Sequence, residues 1–464
     1  MAGLTAAHAG SVAWDQRVED AVVGFLTAEK EPPAAVARRT VWTVLDVVAA
    51  CAAASTWPEL RSSAARFPLA PGPATVMGMG LKASAGHAVL FNTTLAIAQE
   101  IEEGHNRGGH VGASVVTGAL AAGEEAGASG ERLVSSVWKA YEVTARVEAA
   151  FMGVRARLAQ AVPWVMRNPH STWSVLGAAL AAALVRGLPP DALRHVWRMG
   201  LNTAVINMWD PFADGPAARN FTAGLSAQTG VTIAELAAAG VAGSAEACLR
   251  VLGPAWEQAQ DELEQAFAAL GREHEIMRNY FKFVPSCRYT HPPLDALASI
   301  RDQVDVDDIE RIDVTTYNNA LPMSHQRAMN ATSGKFSIPY CLAAYLVLGR
   351  VDFAAFAPEH LSSPAITALA QRVFVHPGDE FNRRFPDKWG ARVTVVHRDG
   401  RRVSGEVEVP TGDWRQGVTE DLLVPKWREA LAVRYAADRA REIVDAWLQL
   451  AQAPNVRPLM ALVV

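Results

Sequence analysis

The sequence predicts a large all-helical domain followed by a smaller α+β domain. Two observations support this prediction: apolar residues recur at helical spacing from about residue 14 to residue 270, and short alternating segments appear after Asn279. The helical pattern returns near the end of the chain. We therefore expect three parts: a helical domain over residues 1–270, an α+β lid domain over residues 271–415, and C-terminal helices over residues 416–464 that return to the helical domain.

The helical part is rich in alanine. Val18, Val22 and Leu26 illustrate the spacing that places apolar side chains on one face of a helix. Alanine-rich stretches such as residues 178–183 favour helix formation, and their small side chains allow helices to approach closely. Large apolar residues lie between these stretches. The segment therefore predicts a compact multi-helix domain and not disorder.

The α+β part is predicted from strands that are rich in β-branched residues. The expected elements are strands at residues 309–317 and 372–376, a helix between them at residues 335–348, and a hairpin of residues 392–397 and 401–409 around Asp399-Gly400. Helix and strand interleaved before a terminal hairpin suggest a split βαβ unit. A helical pattern follows over residues 421–452.

Composition restricts the classes of function. Lys and Arg number 43 against 48 Asp and Glu, so a net charge of −5 gives no long-range field that would attract nucleic acid. Cys51, Cys248, Cys287 and Cys341 are far apart, which suggests neither a disulfide framework nor a cysteine metal site. The sequence shows no export signal, membrane span, phosphate loop or nucleophile elbow. We expect a soluble cytoplasmic protein that binds neither nucleic acid nor membranes.

The densest group of chemically active side chains is residues 100–110, Glu-Ile-Glu-Glu-Gly-His-Asn-Arg-Gly-Gly-His. Its glycines let the backbone approach a ligand, while carboxylates and imidazoles face that ligand. This pattern favours acid–base work on an anionic substrate. Two alternatives stay open: a metal site of Glu102, Glu103, His105 and His110, or an ordinary polar loop between helices.

Three further segments carry candidate residues. His170 lies at the predicted start of a helix, where a carboxylate could dock beside the imidazole. Arg219 lies in a loop before another helix and could hold a carboxylate through two parallel hydrogen bonds. Residues 286–292 combine Arg288 and His291. Each also has a structural interpretation, as a helix cap, a solvated arginine or a buried domain junction.

Taken in order, five segments resemble the MmgE/PrpD family, which includes 2-methylcitrate dehydratase, cis-aconitate decarboxylase and iminodisuccinate epimerase. The resemblance covers most of the chain and lies in residues 92–112, 127–133 with 140–143, 168–172, 282–292 and 335–340. It implies a large helical domain completed by C-terminal helices, a smaller α+β lid domain, and usually a homodimer. It also implies that neither an organic cofactor nor a metal is required.

The resemblance implies site residues position by position. Glu100 falls where the family commonly has an aspartate, and His110 and His170 match family histidines. His291 matches the histidine of a Cys-Arg-x-Thr-His-Pro motif, and Tyr317 matches a tyrosine near the substrate.

Two positions depart from the pattern of the family's decarboxylase. Gly104 stands where that enzyme has a threonine that contacts substrate, and Arg219 stands where it has a lysine. Arginine stays protonated at neutral pH, so its expected role is that of a fixed carboxylate clamp. The decarboxylase mechanism is therefore not expected to apply unchanged.

The predicted function is a cofactor-independent lyase that dehydrates a small hydroxy polycarboxylate. His110 and His170 would form the acid–base pair, Glu100 would orient an imidazole or the substrate hydroxyl, and Tyr317 is the fourth catalytic candidate. The predicted substrate-binding residues are Arg219, His291, Arg288, His105 and Gly104. Epimerisation or isomerisation, decarboxylation, and a catalytically silent polycarboxylate-binding protein are the alternatives.

Overall fold

The computed structural model of the chain describes residues 5–107, 109–161, 170–203, 213–247 and 265–464. At residues 5–11, 153–161 and 170–173 it describes the helical backbone alone.

The first half of the chain is a body of packed helices. Its helices are α1 (Thr5–Thr27), α2 (Ala34–Ala54), α3 (Pro58–Arg66), α4 (Ala85–Ala98), α5 (Val111–Ala126), α6 (Gly130–Ala161), α7 (His170–Arg186), α8 (Pro190–Asn202) and α9 (Ala218–Ala238). Helix α7 packs against α5 and α9. Small residues permit this close packing, since a Cβ added at Gly230 would lie 2.3 Å from the carbonyl oxygen of Val175. The fold class predicted from the sequence is confirmed.

Two small sheets lie within this helical body, which corrects the expectation that the first part contains helices alone. Strands β1 (Ala74–Val76) and β2 (Leu81–Ala83) form one hairpin, and β3 (Gly104–His105) pairs with β4 (Asn279–Tyr280). Gly78 and Gly80 turn the first hairpin with φ values of 69° and 71°. Strands of two or three residues are too short to show alternation, so the sequence pattern missed them.

The α+β region is built on a sheet of four strands, β5 (Ile309–Thr316), β6 (Val373–Pro377), β7 (Ala391–His397) and β8 (Arg402–Val407). The strand order is β6-β5-β7-β8, with β5 and β6 parallel and the other pairs antiparallel. The two parallel strands are direct neighbours, whereas a split βαβ unit has another strand between them. Strand β5 lies between β6 and β7 and forms a ladder with each of them.

Short helices surround this sheet. They are α10 (His291–Ala298), α11 (Ala331–Lys335), α12 (Ile338–Leu348), α13 (Pro358–Leu361), α14 (Pro364–Ala370) and α15 (Asp379–Arg384). The helix predicted over residues 335–348 is divided, since the Ser337 side chain accepts a hydrogen bond from the backbone of Tyr340 and caps α12. The predicted hairpin turn is present at Gly400, with a φ of 86°.

The C-terminal helices are α16 (Glu420–Ala432), α17 (Ala437–Leu448) and α18 (Arg457–Ala461). Helices α16 and α17 pack against α2, and the Trp427 indole donates a hydrogen bond of 2.8 Å to Asp46. Buried apolar residues form two clusters, one in the helical body with these C-terminal helices and one around the four-stranded sheet. The proposed domain boundaries at residues 270 and 415 stay a prediction.

In the described ranges, no single helix has the length and apolar character needed to cross a membrane. Helices α2 and α3 meet the length and composition criterion as a pair, with a 90° bend between them.

Candidate functional site

Five charged or titratable side chains form a continuous line at the junction of the two apolar clusters. Arg219 Nη1 lies 3.3 Å from Glu100 Oε1, and Lys282 Nζ lies 3.0 Å from Glu100 Oε2. Lys282 Nζ is also 3.5 Å from Glu102 Oε2, while Glu102 Oε1 is 2.5 Å from His110 Nδ1. The line therefore runs from an arginine, through a lysine that lies between two carboxylates, to an imidazole.

Five elements of secondary structure bring this line together. Glu100 follows α4, and the pairing of β3 with β4 places Lys282 beside the carboxylates that precede β3. His110 is the N-cap residue of α5, and Arg219 lies in the first turn of α9. Glu100 has a φ of 52°, in the left-handed region that few non-glycine residues occupy. This conformation turns the chain sharply at the end of α4.

Both members of the central ion pair are ionised despite complete burial. Burial alone would raise the pKa of Glu100, but Lys282, His110 and Arg219 together hold it well below its usual range. Burial would lower the pKa of Lys282, but Glu100 and Glu102 raise it above its usual value. Glu100 is therefore a fixed anion at neutral pH and has no proton to donate.

Glu103 points away from this line and is held by neutral donors. It accepts hydrogen bonds from the Gly112 backbone at 2.9 Å, the Tyr141 hydroxyl at 3.0 Å and the Asn279 amide at 2.8 Å. Burial raises its pKa to about 7, since these neutral donors offset only part of the loss of solvation.

His105 also points away from the line. Its Nε2 atom lies 3.1 Å from Glu275, although the sequence analysis placed His105 in substrate binding. The four residues proposed as metal ligands, Glu102, Glu103, His105 and His110, therefore have divergent partners. Across the described ranges, no three His, Cys, Asp or Glu residues are arranged to hold a metal ion.

Gly104 has no room for a side chain. A Cβ atom there would lie 2.4 Å from the Tyr280 hydroxyl and 3.0 Å from the carbonyl oxygen of Gly109. Any contact of Gly104 with a substrate would thus involve its backbone.

Tyr317 belongs to an aromatic cluster. Its ring stacks on Phe385 with 4.7 Å between centroids and contacts Tyr289 and Trp389 edge-on or tilted. Burial raises the pKa of the phenol well above its usual value, so the hydroxyl is neutral. Among the described residues this hydroxyl has no hydrogen-bond partner, although it is completely buried.

Arg288 and His291 are buried near the cluster and are already engaged by the protein. Arg288 donates to the carbonyl oxygens of Thr411 at 2.9 Å and Pro410 at 3.4 Å, and its guanidinium lies over the Tyr280 ring. His291 Nε2 is 3.2 Å from the carbonyl oxygen of Ser286. Burial, together with Arg288 and Lys282, lowers the pKa of His291 well below its usual value, so this imidazole is neutral.

One of the predicted catalytic residues, His170, has no described side chain. His170 begins α7, but its side chain lies outside the described part of the chain. Its pairing with His110 stays a prediction.

Sequence reasoning missed two residues of the site. Lys282 is at the centre of the line, and it is the lone charge in the apolar and aromatic run Tyr280-Phe-Lys-Phe-Val284, a signal that could have identified it. Cys287 is partly buried nearby, and burial, reinforced by Glu100, raises the pKa of its thiol to about 12. Its thiol therefore stays protonated and unreactive near neutral pH.

Comparisons with known proteins agree with this architecture. A family model of the MmgE/PrpD N-terminal domain matches residues 24–253, and one of the MmgE/PrpD C-terminal domain matches residues 284–450. A cis-aconitate decarboxylase of Aspergillus terreus (strain NIH 2624 / FGSC A1156) is 24% identical over 473 aligned residues, which cover 94% of this chain and 93% of that enzyme. A second cis-aconitate decarboxylase sequence from Aspergillus terreus has the same identity and coverage.

Proposed function

The chain belongs to the MmgE/PrpD family, and on this basis we propose that it is a lyase acting on a small substrate that carries carboxylate groups. The observation that carries the proposal is the buried line from Arg219 to His110. It combines two fixed cations with an imidazole whose Nδ1 atom lies 2.5 Å from a carboxylate oxygen. These are the groups that proton removal beside a substrate carboxylate requires.

His110 is the proposed base. Glu102 faces its Nδ1 atom, and we assign the transfer of the substrate proton to the Nε2 atom of the same ring. The same carboxylate stabilises the imidazolium that forms, as the aspartate does in a serine protease triad. His110 is also the most accessible member of the line, with 16% of its side chain exposed against 2% for Glu100 and none for Lys282.

Lys282 and Arg219 are the proposed electrostatic stabilisers. Negative charge develops beside a carboxylate when a neighbouring proton or carbon dioxide leaves, and cations fixed in a dry site lower that barrier. Glu100 holds both cations in place through its two oxygens. Arg219 cannot lose its proton near neutral pH, so its role is to bind and not to transfer protons.

The proposed reaction is dehydration of a hydroxy polycarboxylate without a cofactor. His110 takes the proton next to one carboxylate, and a second group protonates the departing hydroxyl. We assign that second role to His170. The Tyr317 hydroxyl, which has no hydrogen-bond partner among the described residues, would be an orienting donor.

Decarboxylation is the second candidate, and the 24% identity with cis-aconitate decarboxylase favours it. In that reaction carbon dioxide leaves and a protonated His110 delivers a proton to the carbon. The two reactions need the same cations and differ in the direction in which His110 moves its proton.

Proton NMR in deuterium oxide distinguishes these reactions. The purified protein is incubated with citrate, 2-methylcitrate, cis-aconitate and iminodisuccinate, and both product signals and loss of carbon-bound proton signals are followed. New vinyl signals from a hydroxy acid support dehydration, whereas loss of carbon dioxide from cis-aconitate supports decarboxylation. Exchange without net elimination indicates an epimerase. A folded protein that binds these acids and turns over none of them is a silent binding protein and contradicts the proposal.

A further inference from the structure

Lys335 is a buried lysine at the end of α11 that the proposed reaction does not use. One per cent of its surface is exposed. Its Nζ atom donates hydrogen bonds to the carbonyl oxygens of Gln99 at 3.2 Å and Pro285 at 2.9 Å. Its own carbonyl oxygen accepts from the Cys287 backbone at 2.9 Å. A single residue thus connects three segments of the chain.

Among the described residues, no carboxylate forms a hydrogen bond or an ion pair with Lys335 Nζ. Two aromatic rings also lie near Nζ, with Phe356 at 4.3 Å and Trp57 at 6.0 Å from Nζ to the ring centroid. Burial lowers its pKa to about 7, an effect that Glu100 partly offsets. A hydrophobic residue would avoid this loss of solvation, so the lysine is better explained by what its hydrogen bonds hold.

The two carbonyl groups belong to the segments that meet in the central ion pair. The Gln99 carbonyl is part of the peptide that leads into Glu100, the residue with a φ of 52°. Pro285 lies between Lys282 and Cys287 in the sequence. The ammonium therefore holds one peptide on each side of the contact between Glu100 and Lys282.

Open space lies next to this corner of the site, although the Gln99 side chain also donates a hydrogen bond of 3.3 Å to the carbonyl oxygen of Ala53. A cavity of about 1170 Å³ adjoins Lys335, and Gln99, Trp57 and Phe356 also line it. Without the ammonium, the Gln99 peptide has space into which it can relax, and the strained backbone of Glu100 favours that relaxation.

We propose that Lys335 is a positioning residue that holds Glu100 and Lys282 in contact. It does so by fixing the peptides of Gln99 and Pro285 with one ammonium group. Its effect on catalysis rests on the proposed function, whereas its effect on the geometry of Glu100 does not.

Lys139 on α6 provides a matched control. It is also buried, with 7% of its surface exposed, and it donates to two backbone carbonyls, those of Leu26 at 3.0 Å and Ala28 at 2.7 Å. These bonds hold the end of α1 and touch no residue of the charged line. Lys139→Met therefore removes the same kind of interaction without altering the site.

The test compares Lys335→Met with Lys139→Met. We expect kcat of Lys335→Met to fall by about 10² with a smaller change in KM, because misplaced groups lose transition-state stabilisation more than ground-state binding. Lys139→Met should keep kcat within about threefold of the wild-type value, even if its thermal stability falls. An unchanged kcat in folded Lys335→Met, or equal losses in both variants, overturns the proposal.

A crystal structure of Lys335→Met tests the geometry without a substrate. We expect Glu100 to leave the left-handed region and its contact with Lys282 to lengthen. If the wild-type protein is inactive on every acid, the proposed function fails while this structural test still decides the role of Lys335. Retention of the Glu100 conformation overturns the proposal. If Lys335→Met does not fold, Lys335→Gln is used in its place. The glutamine side chain is one bond shorter than that of lysine and cannot reach both carbonyl oxygens. A Glu100 conformation that is unchanged in Lys335→Gln also overturns the proposal.

Discussion

Residues 100–110 divide between two environments that differ in charge. Glu100, Glu102 and His110 face Lys282 and Arg219 in the charged line. Glu103 and His105 face the opposite way, towards α6 and the segment before β4. There Tyr141, Asn279 and Glu275 bind them.

The same residue type behaves in opposite ways in these two environments. Glu100 and Glu103 are both completely buried, yet the pKa of Glu100 is held well below its usual range and that of Glu103 rises to about 7. The difference arises because Glu100 bonds to cations, whereas the three hydrogen-bond donors of Glu103 are neutral. A carboxylate in this motif is therefore assigned to chemistry or to structure by its neighbours.

Among the substitutions that test this difference, replacement of Lys282 should have the largest effect on stability and turnover. Lys282→Met leaves Glu100 and Glu102 buried without their shared cation, so stability should fall by about 3–5 kcal/mol. Turnover should fall by about 10²–10³ because a fixed cation is lost from the reacting centre. Urea unfolding and steady-state kinetics measure the two effects. Lys82→Met, which removes a half-exposed partner of Glu124, is the control, and a comparable loss of turnover there would argue against a local effect.

The isosteric pair Glu100→Gln and Glu103→Gln should separate the two environments with less perturbation. Glu100→Gln removes the anion between two buried cations, so turnover should fall by about 10². Glu103→Gln should keep turnover within about threefold, because a group with a pKa near 7 is already partly neutral. Steady-state kinetics at pH 7 compare them. Equal losses of turnover in the two variants would contradict the assignment of Glu100 to chemistry and of Glu103 to structure.

The pH dependence of stability should show the smallest effect. The pKa of Glu103 is raised, so the folded protein holds a proton that the unfolded chain releases, and its contribution to stability is lost as pH rises from 4.5 to about 7. Glu103 alone changes the free energy of unfolding by at most about 1.4 kcal/mol per pH unit. Glu142 contributes with the same sign, since burial also raises its pKa to about 7.

Urea unfolding between pH 5 and pH 7 measures this slope. Glu103→Gln should flatten it relative to the wild type. Glu100→Gln should leave it unchanged, because the pKa of Glu100 is lowered and its contribution changes only below pH 4.5. A slope that Glu103→Gln does not alter would mean that Glu103 is ionised in the folded protein.

The predictable parts of the fold are those that leave a periodic pattern of apolar residues in the sequence. Helical spacing and β-branched alternation located the helical body and all four strands of the larger sheet, and Asp399-Gly400 located its hairpin. The order of β5 and β6 was not predictable, because pairing between distant strands leaves no local pattern. The strands β1 to β4 were missed because two or three residues carry no period.

The site was predictable only in part. The motif of residues 100–110 and Arg219 were identified, and the structure brings Glu100, His110 and Arg219 into one line. The division of that motif between two environments was not predictable, since it depends on Lys282, Tyr141 and Asn279, which lie far from it in the sequence. Residue types alone therefore grouped His105 with His110.

The most direct test of the account compares His110→Gln with His105→Gln by proton NMR in deuterium oxide, using whichever acid the wild-type protein converts. We predict that His110→Gln lowers turnover and carbon-bound proton exchange by at least about 10², with folding intact. His105→Gln should retain turnover within about tenfold, because its partner is the structural carboxylate of Glu275. Loss of turnover in His105→Gln with normal turnover in His110→Gln would contradict the account.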